Sequence, residues 1–222
     1  MNNGLYMIDH NKKWLNYFPK KDITCIYEDS KKSIWVGTKD DGLFRLDRNG
    51  GITNYGTAPH QNMLSSSYVR CVVEDNLGNY WIGTFKGLDK LDVTTGTFTH
   101  YSKDNKPYSL SNSSIICMMK DRQGTFWIGT YYGGVNLFNP DYEIYTYYYP
   151  DESQKGKLTS PFAGRMTEDS NGGIWIATEG GGVNYLDKKT KTFTEYKHDA
   201  TKNSLASNTI QGLFLDEDNH AL

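Results

Sequence analysis

The sequence predicts an all-β protein: a β-propeller built from four-stranded antiparallel blades of about 46 residues each. Three observations predict this fold: a long motif that recurs four times, strand-like segments inside every copy, and glycine-bearing turns between those segments. Repeats of roughly 20 to 50 residues are typical of solenoids and propellers. Strand chemistry without a helical period excludes an α-solenoid, and the regular repeat disfavours a single β-sandwich.

A tryptophan and an aspartate mark the same place in every repeat. The tryptophans, spaced by 46, 46 and 48 residues, are Trp35, Trp81, Trp127 and Trp175. Each follows an aspartate by six residues, and these are Asp29, Asp75, Asp121 and Asp169. We interpret the tryptophans as core residues that pack against the next blade, with ligand stacking as the alternative. We interpret the aspartates as turn formers, because one carboxylate per turn falls short of the roughly six to eight oxygen ligands that calcium needs.

Each repeat contains four predicted strands in order. The first, "ITCIYED" and its relatives, is apolar on both alternating faces, which predicts an inner strand buried on both sides. The second carries the tryptophan in "IWVGT", and the third and fourth alternate more plainly, which predicts half-exposed outer strands. Asp and Gly suit the turn between strands one and two, and short glycine turns suit hairpins between strands two and three. The fourth strands are expected to close at Tyr55, Tyr101, Tyr147 and Tyr196.

The repeat boundaries predict four complete blades and two half blades within one propeller region, residues 1–222. The complete blades are residues 23–55, 69–101, 115–147 and 162–196. Residues 1–22 match the second half of a blade, and residues 210–222 match the start of a further one. The two halves could pair and close a five-bladed ring, or the chain could be a slice of a larger propeller. We favour the slice, because the second strand of the C-terminal half is almost absent from the sequence.

Composition excludes several classes of function. The formal net charge of -2, with Lys and Arg scattered among Asp and Glu, disfavours nucleic-acid binding. No apolar run approaches the roughly 20 residues that span a bilayer, so direct membrane insertion by this segment is not expected. The opening residues also lack the charged-then-apolar layout of a secretion signal. Cys25, Cys71 and Cys117 occupy equivalent positions in successive repeats, where roughly 10 Å between packed sheets disfavours a disulfide, and we expect buried free thiols.

The sequence marks out neither a catalytic nor a metal-binding constellation, and no cofactor is expected. The histidines share no metal-ligand spacing and are expected at the surface: His10, His60, His100, His198 and His220. Ser and Asp are abundant, but none stands in a special context for a nucleophile or for the carboxylate pair of a glycosidase. The chain is therefore expected not to be an enzyme.

Differences among the repeats indicate where a ligand could bind, because a single site must break the symmetry of the scaffold. The turn between strands two and three varies most, and its candidate binding residues are Lys39, Asp40, Asp41, Phe85, Lys86, Tyr131, Tyr132 and Glu179. In blade topology these turns share an edge with the long loops at residues 56–68, 102–114 and 150–161. Aromatic rings beside charged groups could stack on a sugar and bond its hydroxyls. Ordinary variation of exposed loops is the alternative.

The motif W-[IV]-[GA]-T-x(2,3)-G-[LV]-x-x-[LF]-[DN], with Asp six residues before the Trp, resembles the two-component regulator propeller repeat over nearly the whole chain. The resemblance implies the extracytoplasmic sensor region of a hybrid two-component regulator, especially of gut Bacteroidetes that sense glycan fragments. It further implies a periplasmic location, an oligosaccharide ligand, neighbouring propeller and β-sandwich domains, a histidine kinase fed by this input through a phosphorelay, and a homodimer in that context.

The chain itself shows no kinase phosphoacceptor motif and no nucleotide-binding glycine loop, since "EGGGVN" at Glu179 is a hairpin turn without a following helix. Two hypotheses follow. The chain is a ligand-sensing input module, or it is a protein-interaction propeller whose broad face docks another domain or protein.

Overall fold

A computed structural model describes residues 4–8, 12, 14–56, 63–104, 109–139, 144–151 and 155–216. The regular elements of these residues are all β-strands, which confirms the predicted fold class. They form two compact units, Met1–His100 and Tyr101–Leu222, divided at the end of the tenth strand. The prediction that residues 1–222 form one propeller region stays a prediction.

The first unit contains a hairpin and two four-stranded sheets. The antiparallel hairpin comprises β1 (Tyr6–Ile8) and β2 (Trp14–Asn16), as expected for the second half of a blade. Blade 1 comprises β3 (Ile23–Glu28), β4 (Ile34–Thr38), β5 (Leu43–Leu46) and β6 (Ile52–Tyr55). Blade 2 comprises β7 (Val69–Glu74), β8 (Tyr80–Thr84), β9 (Leu88–Leu91) and β10 (Phe98–Tyr101).

The second unit contains two further sheets of the same kind. Blade 3 comprises β11 (Ile115–Lys120), β12 (Phe126–Thr130), β13 (Gly134–Asn139) and β14 (Ile144–Tyr148). Blade 4 comprises β15 (Ala163–Glu168), β16 (Ile174–Thr178), β17 (Val183–Asp187) and β18 (Thr192–Tyr196). In every blade the strands pair in chain order, because short turns join neighbours. The first two strands of each blade also share a register shift near the start of the first strand.

The six-residue spacing of Asp and Trp has a direct structural cause. In blade 1, Oδ1 of Asp29 accepts a hydrogen bond from the backbone N–H of Ser33 (2.7 Å) and closes the turn. Its Oδ2 accepts one from Nε1 of Trp35 (2.9 Å). The same Trp–Asp bond recurs in the other blades, between Trp81 and Asp75 (3.0 Å), Trp127 and Asp121 (3.0 Å), and Trp175 and Asp169 (3.2 Å). Each aspartate therefore closes a turn and holds the indole of its own blade, and Trp35, Trp81 and Trp127 are buried, whereas Trp175 is only partly buried.

The core of each unit lies between consecutive blades. The ring of Trp35 lies 4.1 Å from that of Tyr80 in blade 2, and the Tyr80 hydroxyl donates to Asp29 Oδ2 (2.7 Å). Desolvation of the Asp29 carboxyl raises its pKa, but hydrogen bonds from Trp35, Tyr80 and Ser33 outweigh that effect and lower it overall.

In the second unit, a lysine occupies the place of the tyrosine hydroxyl. Trp127 packs with Ile174 and other residues of blade 4, and Nζ of Lys188 contacts Asp121 Oδ2 at 3.0 Å. Lys188 also bridges to Glu168 at 3.0 Å. Two different side chains therefore satisfy the same buried carboxylate position between blades.

The structure corrects the predicted end of blade 3 by one residue. Val135 pairs with Tyr148, as Leu43 pairs with Tyr55 and Val183 with Tyr196, so Tyr148 rather than Tyr147 closes the fourth strand. The Tyr148 ring stacks on Trp127 with 6.2 Å between centroids. The correct alignment counts fourteen residues from the repeat glycine Gly134, the same interval as in blade 4.

The prediction that first strands are buried on both faces is wrong for most of them. Residues of β3, β11 and β15 are mainly partly exposed, and Ile26 in β3 is 56% exposed. These strands form sheet edges, with a single hydrogen-bonded neighbour, whereas the tryptophan strands are central and covered on both faces. The cysteines are free as predicted but only partly buried as residues. Burial of the Cys117 thiol raises its pKa to about 12.

At the C-terminal side, residues 210–216 were predicted as a first strand and contain a single bridge residue, Leu215. Residues 217–222 of the predicted further blade lie outside the described residues. So do His10, His60 and His220, whereas His100 and His198 are exposed as predicted.

Candidate functional site

The variable turns of all four blades begin at the same point of the sheet. The first residue of each turn donates its backbone N–H to the carbonyl of the residue directly before the first strand of the same blade. These bonds are Lys39 to Asp22 (3.0 Å), Phe85 to Tyr68 (3.0 Å), Tyr131 to Ser114 (2.9 Å) and Glu179 to Phe162 (3.1 Å). Within each blade, the turn therefore shares an edge with the end of the preceding inter-blade loop.

All eight candidate residues are exposed at this edge. In blade 1, Asp41 forms an ion pair with Lys21 (2.9 Å), whose ammonium group lies 5.2 Å from the Phe44 ring. Since the Asp41 carboxylate already has a cationic partner, it is a weaker candidate for ligand binding than Lys39 or Asp40.

In blade 2, the turn contributes to an aromatic and cationic cluster. The half-exposed Phe85 ring stacks parallel on Tyr68, with 6.1 Å between centroids and 11° between planes. The guanidinium carbon of Arg70 lies 4.6 Å from the Tyr68 ring and 5.2 Å from the Phe85 ring. Phe85 is predicted from the sequence, whereas Arg70 in the first strand and Tyr68 directly before that strand are not.

In blade 3, the turn forms an exposed aromatic cluster with one residue of blade 4. Tyr131 and Tyr132 are 48% and 57% exposed, and their rings meet edge to face at 4.9 Å. Phe162 lies 5.5 Å from Tyr131 and 4.3 Å from Tyr132. Phe162 was missed because it is far from the tyrosines in sequence. Its position directly before a first strand, like that of Tyr68, is the signal that could have identified it.

Tyr132 adopts an unusual backbone conformation. Its φ is 62°, in the left-handed region, and the equivalent residue of blade 4 is Gly180 with φ of 80°. A bulky residue in this region is an outlier that costs of order 1–3 kcal/mol, and such residues cluster at binding sites. A glycine would fit the turn better, so the scaffold alone does not account for a tyrosine here.

Each inter-blade loop contains a leucine followed directly by a serine or threonine, and this pair anchors the loop to the blade that follows. The leucines Leu64, Leu110 and Leu158 are buried. Ser111 donates its backbone N–H to Asn136 Oδ1 (2.9 Å) and its hydroxyl to the Gly133 carbonyl (2.8 Å). Thr159 makes the same pair of bonds to Asn184 (3.1 Å) and Gly181 (2.7 Å). This Leu-[Ser/Thr] element was not recognised in the sequence, although it recurs there.

In blades 1, 3 and 4 the turn is also hydrogen-bonded to the loop that follows the blade. The backbone N–H of Gly42 donates to Ser67 O (3.1 Å), that of Gly134 to Pro161 O (3.0 Å), and that of Gly182 to Asn208 O (2.8 Å). The turns of blades 3 and 4 are therefore held by hydrogen bonds from both the preceding and the following loop.

Blade 2 has Asp89 at the position of Asn136 in blade 3 and Asn184 in blade 4. The Asp89 side chain is fully buried. Its Oδ2 accepts hydrogen bonds from the backbone N–H (2.8 Å) and hydroxyl (3.0 Å) of Ser65. Its Oδ1 lies 2.8 Å from Nδ1 of His100. Because the aspartate separates the serine from the histidine, His100 has no direct path to the Ser65 proton, and the three residues do not form a nucleophile-activating triad.

Replacing Asp89 with asparagine should raise stability at neutral pH. Burial raises the pKa of Asp89 above its ordinary 3.8, and hydrogen bonds from His100 and Ser65 offset this only in part. A carboxyl group with a raised folded pKa stabilises the fold below its unfolded pKa, and that contribution is lost as pH rises through the folded value. The advantage of Asp89→Asn should therefore be largest near pH 7, and it should disappear below the unfolded pKa.

Thermal unfolding of the parent and of Asp89→Asn, from pH 7 down to below the unfolded pKa of aspartate, measures this difference in stability. Asp92→Asn is a control of opposite sign, because backbone hydrogen bonds from Thr95 and Thr94 lower the pKa of Asp92. That variant should lose stability at neutral pH. An Asp89→Asn protein less stable than the parent at pH 7 would contradict the burial argument.

Within the residues that the structure describes, no three His, Cys, Asp or Glu side chains are grouped as a metal site requires. The described part of the chain also has no helix long and apolar enough to cross a membrane.

Comparison with known families gives four matches to the model of the two component regulator propeller, at residues 17–40, 63–86, 109–132 and 157–180. Each match begins near an inter-blade loop and ends in the variable turn. No curated protein matches the sequence of this chain.

Solved structures with the same fold include two from B. thetaiotaomicron. The extracellular domain of BT4673, described as a hybrid two-component system, matches with a TM-score of 0.73 and 21% identity over 90% of this chain and 28% of its own. That of BT3049, described in the same way, gives 0.60 and 19% over 99% and 36%. Virginiamycin B lyase from Staphylococcus aureus gives 0.68 and 14% over 90% and 62%. At these identities the likeness concerns the fold alone, and this chain spans about a third of the two Bacteroides domains.

Proposed function

Because the chain belongs to the two-component regulator propeller repeat family, we propose that it is a non-catalytic, ligand-sensing module of a hybrid two-component regulator. The proposed ligand is an oligosaccharide, and the proposed location is the periplasm. Its direct partners would be neighbouring propeller and sandwich domains of a longer regulator, which dimerises and passes the signal to a histidine kinase. The partial coverage of the two Bacteroides extracellular domains supports the view that further domains complete the sensor.

The cluster formed by the exposed Tyr131 and Tyr132 with the partly buried Phe162 is the observation that carries the oligosaccharide proposal. Sugar rings present flat C–H faces that pack on aromatic rings, while their hydroxyls need polar partners such as tyrosine hydroxyls and carboxylates. Glu179 provides an exposed carboxylate on the adjacent blade, in the turn whose backbone bonds to Phe162. The left-handed backbone at Tyr132 supports a binding role independently of the ring contacts.

The double substitution Tyr131→Ala and Tyr132→Ala should abolish or strongly weaken oligosaccharide binding without unfolding the blade. Both rings are about half exposed, so little core packing is lost. A glycan array on the intact chain would identify a ligand, and calorimetry with that ligand would compare the variants. Losses of tenfold or more are expected if two stacking rings worth about 1 kcal/mol each are removed.

Leu77→Ala is a suitable control, since Leu77 is 78% exposed in a turn at the opposite end of its blade. The Leu77→Ala variant should bind the oligosaccharide with the same affinity as the parent chain. If the tyrosine variant also binds like the parent, these residues are not part of the site. If no oligosaccharide binds and the cluster instead mediates association with another domain, the protein-interaction hypothesis replaces the sensing one.

A further inference from the structure

Arg70 occupies a special position in β7. The pairing of β7 with β8 shifts between Val69 and Cys71, so Arg70 is the extra residue of a bulge. A bulge redirects a side chain away from the regular alternation of a strand. Here the guanidinium group lies over two rings, 4.6 Å from Tyr68 and 5.2 Å from Phe85.

The repeats differ at this position. In blade 2 this position directly follows Val69, the first paired residue of the strand. The corresponding residues of the other blades are Thr24, Ile116 and Gly164. Thr24 is used inside the scaffold, where its hydroxyl donates to the Val69 carbonyl (2.5 Å). The blade fold therefore does not require an arginine at the bulge. Arg70 differs from the other repeats, as a residue of a single binding site must.

The chemistry of the cluster suits one kind of ligand group. An arginine stacked on aromatic faces keeps its N–H donors in the guanidinium plane, where their fork matches both oxygens of a carboxylate. The half-exposed Phe85 ring provides an apolar surface beside that fork, and the exposed Lys86 adds a second positive charge. A uronic acid, which combines a flat C–H face with a ring carboxylate, presents both complementary features.

We propose that Tyr68, Arg70 and Phe85 form a subsite for the carboxylate of an acidic sugar, so that the ligand class is an acidic oligosaccharide. The inference rests on the proposed sensing function and narrows it. Arg70 binds the carboxylate directly, and the two rings orient the guanidinium group and pack against the sugar. The subsite is complete within the first unit.

The test compares two probes on the intact chain by calorimetry: a galacturonic acid trimer and a galactose trimer of the same linkage. The acidic trimer should bind at least tenfold more tightly than the neutral one, since hydrogen bonds to charged groups correspond to about tenfold or more in affinity. Arg70→Gln should remove this preference. Arg70→Lys, which keeps the charge and loses the planar fork, should weaken binding of the acidic trimer about tenfold.

Arg48→Gln is the matched control, because it removes an exposed positive charge from the turn between β5 and β6, outside the subsite, and it should change the affinity by less than about threefold. Thermal unfolding of every variant shows whether the blade is intact, and Arg70→Lys preserves the ring contact if Arg70→Gln does not fold. Affinity for the acidic trimer should also fall with added salt. A galactose trimer carrying sulfate tests the carboxylate preference, and equal binding of sulfated and acidic trimers would overturn it.

Equal binding of acidic and neutral trimers, or unchanged binding of the acidic trimer by Arg70→Gln, would overturn the subsite. If neutral oligosaccharides still bind through Tyr131 and Tyr132 in that case, the proposed sensing function stands. If no oligosaccharide binds at all, the sensing function and the acidic subsite both fall.

Discussion

Replacing Trp35 with alanine should lower the free energy of unfolding by about 3–5 kcal/mol, the range typical of buried Trp→Ala substitutions. The side chain is 1% exposed and packs on Tyr55 and Tyr80. Its loss would leave a cavity between blades 1 and 2. It would also remove the indole N–H from Asp29, whose buried carboxylate would keep only its bonds to Tyr80 and Ser33. Urea unfolding followed by circular dichroism measures the change.

Two variants separate these contributions. Trp35→Phe keeps a ring between Tyr55 and Tyr80 and loses the N–H, so it should cost clearly less than Trp35→Ala. Trp175→Ala should also cost less, because Trp175 is only partly buried although it makes the same bond to Asp169. If Trp35→Ala and Trp175→Ala cost the same, burial between blades is not the main contribution of the repeated tryptophan.

Replacing Gly182 with alanine should destabilise blade 4 by about 3 kcal/mol, combining left-handed strain with a backbone clash. Its φ is 74°, and an added Cβ would lie 2.2 Å from the carbonyl oxygen of Tyr196. Since that oxygen belongs to the backbone of β18, rotation of a side chain cannot relieve the contact. The same close approach to the backbone oxygen of the tyrosine that ends the fourth strand occurs at Gly42 and Gly134, which explains why a glycine stands before or at the start of the third strand in these blades.

Gly180 in the same turn is the matched control. Its φ is 80°, but an added Cβ would meet nothing within 4 Å. Gly180→Ala should therefore show strain alone, about 1 kcal/mol. Thermal unfolding of the two variants isolates the clash, and a loss for Gly180→Ala as large as that for Gly182→Ala would rule it out.

Features that recur in the sequence were predicted well, because repetition separates scaffold from variation. Trp35 and Asp29 are examples: their spacing reflects one hydrogen bond and one turn that every blade needs. The end of blade 3 was misplaced, because Tyr147 and Tyr148 are adjacent and only the strand register distinguishes them. The burial of first strands was overestimated, because apolar composition does not reveal that a strand lies at a sheet edge.

The candidate binding residues were predicted only where they are local in sequence. Tyr131 and Tyr132 stand out against the glycines of the next repeat, but their contact Phe162 comes from the following blade. Arg70 was overlooked because its contact with Phe85 depends on a bulge, and sequence periodicity does not reveal a bulge. Their roles in binding remain predictions.

The paired anchoring of the turn in blade 3 has a mechanical consequence. In blade 3, Ser111 holds the turn at Gly133 from the preceding loop, and Gly134 bonds to Pro161 in the following one. These hydrogen bonds restrain the turn together with the loops before and after blade 3, and Phe162 directly follows Pro161. A ligand that immobilised Tyr132 would therefore also restrain Phe162 at the entry to blade 4, through the ring contact and the Gly134–Pro161 hydrogen bond.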